Sequence, residues 1–133
     1  MGFFKRIFGI CETRPPRDAG CFNYRDGRLE IDLNRAPELA KAGGAIRIEG
    51  GELPCRVLVV HGDDGRFHAF PNRCTHIGHR RLDPLPGTGK VRCCSVGQSE
   101  FDYEGHRLAG SAKDDIVPFD VVVDGETVVV ALA

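Results

Sequence analysis

The chain has 133 residues, of which 18 are basic and 19 acidic, so its formal charge is −1. This length predicts one domain, and the balanced charge points neither to nucleic acid nor to an acidic partner. Apolar residues make up 41% and charged residues 28%, which excludes a disordered chain and a membrane-spanning one.

Residues 1–20 are predicted to form an N-terminal tail and a Pro-rich linker, and residues 21–133 a single domain. Met1–Ile10 has no apolar run longer than two residues, so we expect no secretory signal and a cytoplasmic protein with reduced thiols. Four apolar residues of this tail would share one helical face, namely Phe3, Phe4, Ile7 and Phe8. That face could rest on a membrane or a partner, although packing on the chain's own domain or fraying is favoured.

Along the domain, alternating apolar residues bounded by turn residues predict eight or nine short strands. The 17 glycines and 8 prolines favour such strands over helices. One helix is predicted over Ala36–Ala42, between Asn34 as its cap and Gly43 at its end. The predicted strands are Arg28–Leu33, Ala45–Ile48, Arg56–His61, Arg66–Phe70, Lys90–Cys93, Phe101–Tyr103, His106–Leu108, Val117–Val123 and Thr127–Leu132. This pattern predicts an all-β fold, a small sandwich or barrel with one short helix.

Two long connections interrupt the strands, residues 72–83 and 93–100, and both carry cysteines. The first contains Cys74-Thr75-His76, and the second begins with Cys93-Cys94, 17 residues after His76. Six cysteines in a reducing compartment indicate metal ligands or buried thiols rather than a disulfide framework.

These two connections resemble the ligand loops of Rieske-type ferredoxins, whose pattern is Cys-x-His and then, after a gap of this length, Cys-x-x-His with a following glycine and aromatic residue. The resemblance extends over about residues 44–132. It implies a tip of two loops that holds a [2Fe–2S] cluster, with two thiolates on one iron and two imidazoles on the other. It also implies an electron carrier without a catalytic domain of its own, serving a redox protein partner such as a reductase or an oxygenase-type acceptor.

The second half of the pattern is degenerate. With Cys94 as the ligand, Phe101 falls at the expected aromatic position, but the second histidine position holds Gly97. With Cys93 as the ligand, that position holds Val96. Cys94 is therefore preferred, and neither register supplies the second imidazole. A further departure is Gly110-Ser111-Ala112, where the family has a proline loop that covers the cluster.

The ligands that the resemblance implies are Cys74, His76 and Cys94. His79, Cys93 or an exogenous molecule could complete the set. A zinc ion on the same three residues and one more is an alternative, because zinc accepts mixed Cys and His tetrahedra. Another alternative is a cluster-free binding or regulatory module with the same fold.

The remaining candidate residues have structural interpretations. His61, His68 and His106 are predicted to be structural or surface residues, and Cys55 a core or near-surface thiol. Cys11 and Cys21 are interpreted as free thiols in preference to a redox pair. Arg80 and Arg81 could form a docking patch for an acidic electron partner, but a solvated charge pair is favoured.

Overall fold

The computed structural model describes residues 12–73, 81–94, 99–110 and 114–132. Within these ranges it contains eleven strands in three antiparallel sheets and three single turns of 3₁₀ helix. The strands are β1 Phe22–Arg25, β2 Arg28–Asp32, β3 Ala45–Ile48, β4 Val57–His61, β5 Phe67–Pro71, β6 Leu82–Leu85, β7 Lys90–Cys93, β8 Glu100–Asp102, β9 Arg107–Ala109, β10 Asp120–Asp124 and β11 Thr127–Ala131. The 3₁₀ turns are Ala19–Cys21, Leu33–Arg35 and Pro37–Leu39. The all-β prediction is confirmed.

The sheets have the strand orders β1-β2-β11-β10, β3-β4-β5 and β6-β7-β8-β9. Strand β4 lies at the centre of the molecule, because four of its five residues are fully buried. Val57 and Val59 pack into a core cluster with Leu29 and Ile31 of the first sheet. The other two buried residues of β4, Leu58 and Val60, pack against the third sheet in a second core cluster. This cluster also includes Phe70, Leu82, Val91, Cys93 and Phe101. A strand buried on both faces explains the continuous apolar run at 57–60.

All nine predicted strands have a counterpart within the described residues. The predicted helix over Ala36–Ala42 is instead the 3₁₀ turn Pro37–Leu39, which follows a second turn at Leu33–Arg35. Strand β1 was not predicted. The short segment Phe22–Arg25 alternates half-buried and exposed residues, so no fully buried residue marks it as a strand.

Strand β6 corrects the predicted first connection, 72–83, because Leu82 and Asp83 already belong to a strand. Pro84 concealed it, since a proline removes a backbone donor from a ladder. The strand lies at the edge of its sheet, where its outer backbone groups have no neighbouring strand and proline is tolerated.

The end of the predicted linker is attached to this edge strand. The backbone amides of Glu12 and Thr13 donate hydrogen bonds to the Asp83 carboxylate at 2.7 and 2.9 Å. The Arg47 amide also donates to the carbonyl oxygen of Arg14 at 3.0 Å. The division of the chain at residue 20 stays a prediction. Across the described ranges, no helix has the length and apolar character that a membrane crossing needs.

Candidate functional site

The ends of the two cysteine-bearing loops meet at one end of the third sheet. Leu82, the first residue of β6, pairs with Cys93, the last residue of β7. The Cys94 amide then donates to the carbonyl oxygen of Arg81 at 2.9 Å, and the Cys93 amide donates to that of Ser99 at 2.8 Å. These contacts place the end of the first loop beside both ends of the second.

Asn72 closes the first loop from its other side. Its side chain is 1% exposed, and its Oδ1 accepts a hydrogen bond from the Leu82 amide at 2.8 Å. The backbone amide of Asn72 donates a hydrogen bond to the carbonyl oxygen of Arg56 at 2.9 Å, which attaches this end of the loop to the start of β4. The Nδ2 group is buried and has no hydrogen-bond partner among the described residues. A buried donor without an acceptor costs about 1–3 kcal/mol, so an acceptor at this position would be stabilising.

A third segment leaves the sheet at the same end. Gly110 follows β9 and has a φ of +93°, a backbone conformation that residues other than glycine rarely adopt. A Cβ on Gly110 would overlap the Ser99 backbone, at 2.7 Å from its nitrogen and closer still to its Cα. The three segments that the family resemblance assigns to the cluster tip therefore begin or end within one small region. Cys74, His76, His79 and Gly97 lie outside the described residues.

The two adjacent cysteines of the second loop have different environments, although neither is exposed. The Cys93 side chain belongs to the second core cluster and is not in a disulfide. Cys94, the first residue after β7, is outside that cluster. Successive side chains in a strand point to opposite faces, so Cys94 does not follow Cys93 into that cluster.

The sulfur of Cys94 is in a disulfide in this structure. Cys21, Cys55 and Cys93 are not in disulfides. Burial raises the pKa of the Cys21 and Cys55 thiols, which makes both poor nucleophiles. Because metal ligands are thiolates, Cys94 has to be reduced before it can bind a metal.

Arg81, at the end of the first loop, forms a two-point ion pair with Glu49. Its Nε lies 2.5 Å from Oε2 and its Nη2 lies 2.9 Å from Oε1. The Arg81 guanidinium holds the pKa of Glu49 below its ordinary value, although burial of the carboxylate acts in the opposite direction. Arg81 is therefore a partly buried ion-pair partner, not the solvated charge that the sequence favoured; Arg80 lies outside the described residues.

The three described histidines outside the loops have local partners. His61 Nδ1 lies 2.8 Å from the carbonyl oxygen of Leu39. The His68 ring stacks on Tyr103 with centroids 4.3 Å apart, and His106 is exposed. Their predicted structural or surface roles are confirmed. Over the described part of the chain, no three His, Cys, Asp or Glu side chains form a group that could hold a metal ion.

Comparisons with known proteins identify the fold. No family model matches the chain. The chain is 31% identical over 88 residues to the oxygenase subunit of glycine betaine monooxygenase from Chromohalobacter salexigens, a match that covers 66% of this chain and 19% of the relative.

Two solved structures are similar over most of their own length. One is a cyanobacterial plasma-membrane Rieske protein from Synechocystis, with a TM-score of 0.52, 28% identity, and coverage of 65% of this chain and 84% of that one. The other is the ferredoxin of carbazole 1,9a-dioxygenase from Nocardioides aromaticivorans, with a TM-score of 0.62, 24% identity, and coverage of 77% and 94%. The chain has the Rieske fold.

Proposed function

We propose that this chain is a Rieske-type electron-transfer protein that holds a [2Fe–2S] cluster between its two cysteine-bearing loops. One observation carries the proposal: the ends of both loops and of the Gly110 segment lie together, with the buried Cys94 at their base. We assign Cys74, His76 and Cys94 as ligands. When bound, such a cluster accepts and donates one electron, and its imidazole ligands raise the potential above that of all-cysteine clusters.

The described residues support a cluster site by making the base of the tip rigid and dry. The Leu82–Cys93 pair and the hydrogen bonds that the Cys93 and Cys94 backbone amides donate fix where the loops start and end. Complete burial of Cys94 keeps water from its sulfur. The Asn72 Nδ2 group, which is buried two residues before Cys74, offers a hydrogen-bond donor to the loop or to a sulfur atom held by it.

We assign the fourth ligand position to His79 in preference to Cys93. The Cys93 thiol packs among apolar side chains of the second core cluster, including Leu58, Phe70 and Phe101. Turning it toward the tip would open a cavity in that cluster, which costs stability. His79 belongs to the same loop as the assigned ligands Cys74 and His76.

We assign the chain a carrier role, in which a reductase or an oxygenase-type acceptor performs the catalytic step. The support is that the similarity covers 94% of a dioxygenase ferredoxin but only 19% of a monooxygenase subunit. A cluster-free binding module with the same fold is the second candidate, because the second histidine position of the motif holds Gly97.

A visible absorption spectrum and metal analysis of protein purified anaerobically with a thiol reductant separate these functions. The electron carrier should be brown to red, lose colour reversibly on reduction, and contain two irons and two sulfides per chain. A colourless protein with one zinc would establish the zinc alternative. A colourless protein without metal, even after reconstitution with iron and sulfide, would establish the binding module.

A further inference from the structure

An open pocket of about 410 Å³ lies between β3 and β6, the strands at the edges of the second and third sheets. Asp83 and Arg92 form its polar side, and Glu12 and Thr13 also line it. Its remaining walls are apolar or glycine, namely Gly43, Ala45, Pro84, Leu85 and Pro86. Proteins commonly cover such sheet edges with a further segment of chain. The pocket therefore suits an occupant with apolar side chains.

The first described residues already fill the neighbouring part of the groove between these two edge strands. The backbone amides of Glu12 and Thr13 donate hydrogen bonds to the Asp83 carboxylate of β6 at 2.7 and 2.9 Å. On the other side, the Arg47 amide of β3 donates to the carbonyl oxygen of Arg14 at 3.0 Å. The segment at 12–14 is thus attached to both strands, and Thr13 is buried between them.

This segment runs along β3 in the same direction as the strand. Pro16 lines a smaller pocket of about 190 Å³ together with Ile48, the last residue of β3. Thr13 lines the 410 Å³ pocket together with Ala45, the first residue of β3. Followed toward its N-terminus, the described chain therefore leads into the 410 Å³ pocket and stops at Glu12. Eleven residues of the chain precede that point and lie outside the described residues.

We propose that this pocket is the docking site for the chain's own N-terminal segment, residues 1–11, with the Phe8 ring as its anchor. Four residues of extended chain span about 13–14 Å, so Phe8 can reach the pocket from Glu12. An aromatic ring buries a large apolar area, and the pocket is large enough to hold one. Because the segment is tethered at Glu12, docking is intramolecular, which favours it over an occupant from solution. The inference does not depend on the iron–sulfur cluster.

The charges beyond the pocket also match those of the segment. The Asp63 carboxylate is exposed and accepts two backbone hydrogen bonds, at 2.9 Å each, in the turn that follows Pro86 of the pocket wall. Lys5 and Arg6 precede Phe8 by three and two residues. A segment that continues from Glu12 through the pocket brings these cations toward the Asp63 side. Opposite surface charges attract modestly and are screened by salt, so docking should weaken as salt is added.

The first test uses fluorescence. The chain contains no tryptophan, so Phe8→Trp places a single indole at the anchor. Acrylamide quenching measures its shielding, and a peptide of residues 1–11 with the same change is the unshielded reference. We expect a quenching constant several-fold lower in the protein than in the peptide, at every protein concentration. Adding Leu85→Asp should raise it to the peptide's value, because Leu85 lines the pocket and belongs to neither core cluster of the described residues. Leu108→Asp, the same change at an exposed position of the opposite edge strand β9, should leave it unchanged.

A second test leaves the pocket unchanged and so remains valid if Leu85→Asp does not fold. Trypsin cleaves after Arg6, and a docked segment has to be released before it is cut. Phe8→Ala should therefore be cleaved there roughly tenfold faster than the wild type, and Phe3→Ala at nearly the wild-type rate. Equal quenching in protein and peptide, equal cleavage of the wild type and Phe8→Ala, or the same loss of shielding in Leu108→Asp would overturn the proposal. Shielding that grows with protein concentration would assign the pocket to a second copy, and shielding that requires phospholipid vesicles would assign the segment to a membrane; both results also overturn it.

Discussion

The Oδ1 atom of Asn72 accepts a hydrogen bond from the Leu82 amide at 2.8 Å, and this contact joins two positions ten residues apart across the first loop. It links the last turn before Cys74 to the strand that pairs with Cys93. The buried Asn72 side chain therefore helps to hold the ends of both loops together.

Replacement of Asn72 should loosen the tip. Asn72→Ala leaves the Leu82 amide without its acceptor in a buried site, so we expect a loss of about 1–3 kcal/mol in the free energy of unfolding. Asn23→Ala, the same change at an exposed position of β1, serves as the control. Urea denaturation of both variants measures the effect. A loss in Asn72→Ala below about 0.5 kcal/mol would show that the contact does not hold the loop.

Gly110→Ala tests the close approach of the third segment. Gly110 and Gly125 both have positive φ, but a Cβ on Gly110 would overlap the Ser99 backbone whereas Gly125 has nothing within 4 Å. Gly125→Ala should cost about 1 kcal/mol for its conformation alone, and Gly110→Ala about 2 kcal/mol more, because the Ser99 backbone has to move. The two unfolding free energies provide the comparison. Equal costs would mean that Gly110 and Ser99 are not packed together.

The adjacent cysteines provide a matched pair of substitutions, since Cys93 and Cys94 are both fully buried. Cys93→Ala removes a sulfur from the core cluster, so we expect a loss of about 1–2 kcal/mol in stability with the iron content unchanged. Cys94→Ala should abolish the visible absorption of the cluster. Iron analysis after reconstitution under reducing conditions measures both variants. Loss of iron in Cys93→Ala with retention in Cys94→Ala would reverse the assignment of the ligand.

The Glu49–Arg81 ion pair predicts a dependence of stability on pH. Arg81 lowers the pKa of Glu49 in the folded state, so the pair's contribution is complete above the ordinary glutamate pKa of about 4.3. It is lost as the pH falls through the lower pKa of the folded state. Glu49→Gln should therefore be less stable than the wild type at pH 7, by roughly 1 kcal/mol, and the difference should shrink below about pH 4. A difference that is the same at pH 7 and pH 3 would contradict the ion pair's contribution.

Most strands could be predicted from the sequence because their alternation and turn residues are local signals. The hairpin of β4 and β5, the β7 strand and the final hairpin all begin and end within a few residues of the predicted positions. The adjacency of the two loops also followed from the family resemblance. Strand β6 could not be predicted, because a proline such as Pro84 is typical of a strand only at the edge of a sheet, and the edge position is not visible in the sequence.

The surroundings of the site could not be predicted, since they depend on residues that are distant in the sequence. Glu49 and Arg81 are 32 positions apart, and no local pattern pairs them. Asn72 is only two residues before Cys74, but its role became visible only through its contact with Leu82.

Mössbauer spectroscopy of protein reconstituted with ⁵⁷Fe under reducing conditions tests the central claim most directly. A Rieske-type cluster has one iron held by thiolates and one held by imidazoles, so the account predicts two doublets of equal area with different isomer shifts. If His79 is the fourth ligand, His79→Ala should diminish or destroy the second doublet. A wild-type spectrum with only one kind of sulfur-coordinated iron, or a protein that binds no iron, would contradict the account.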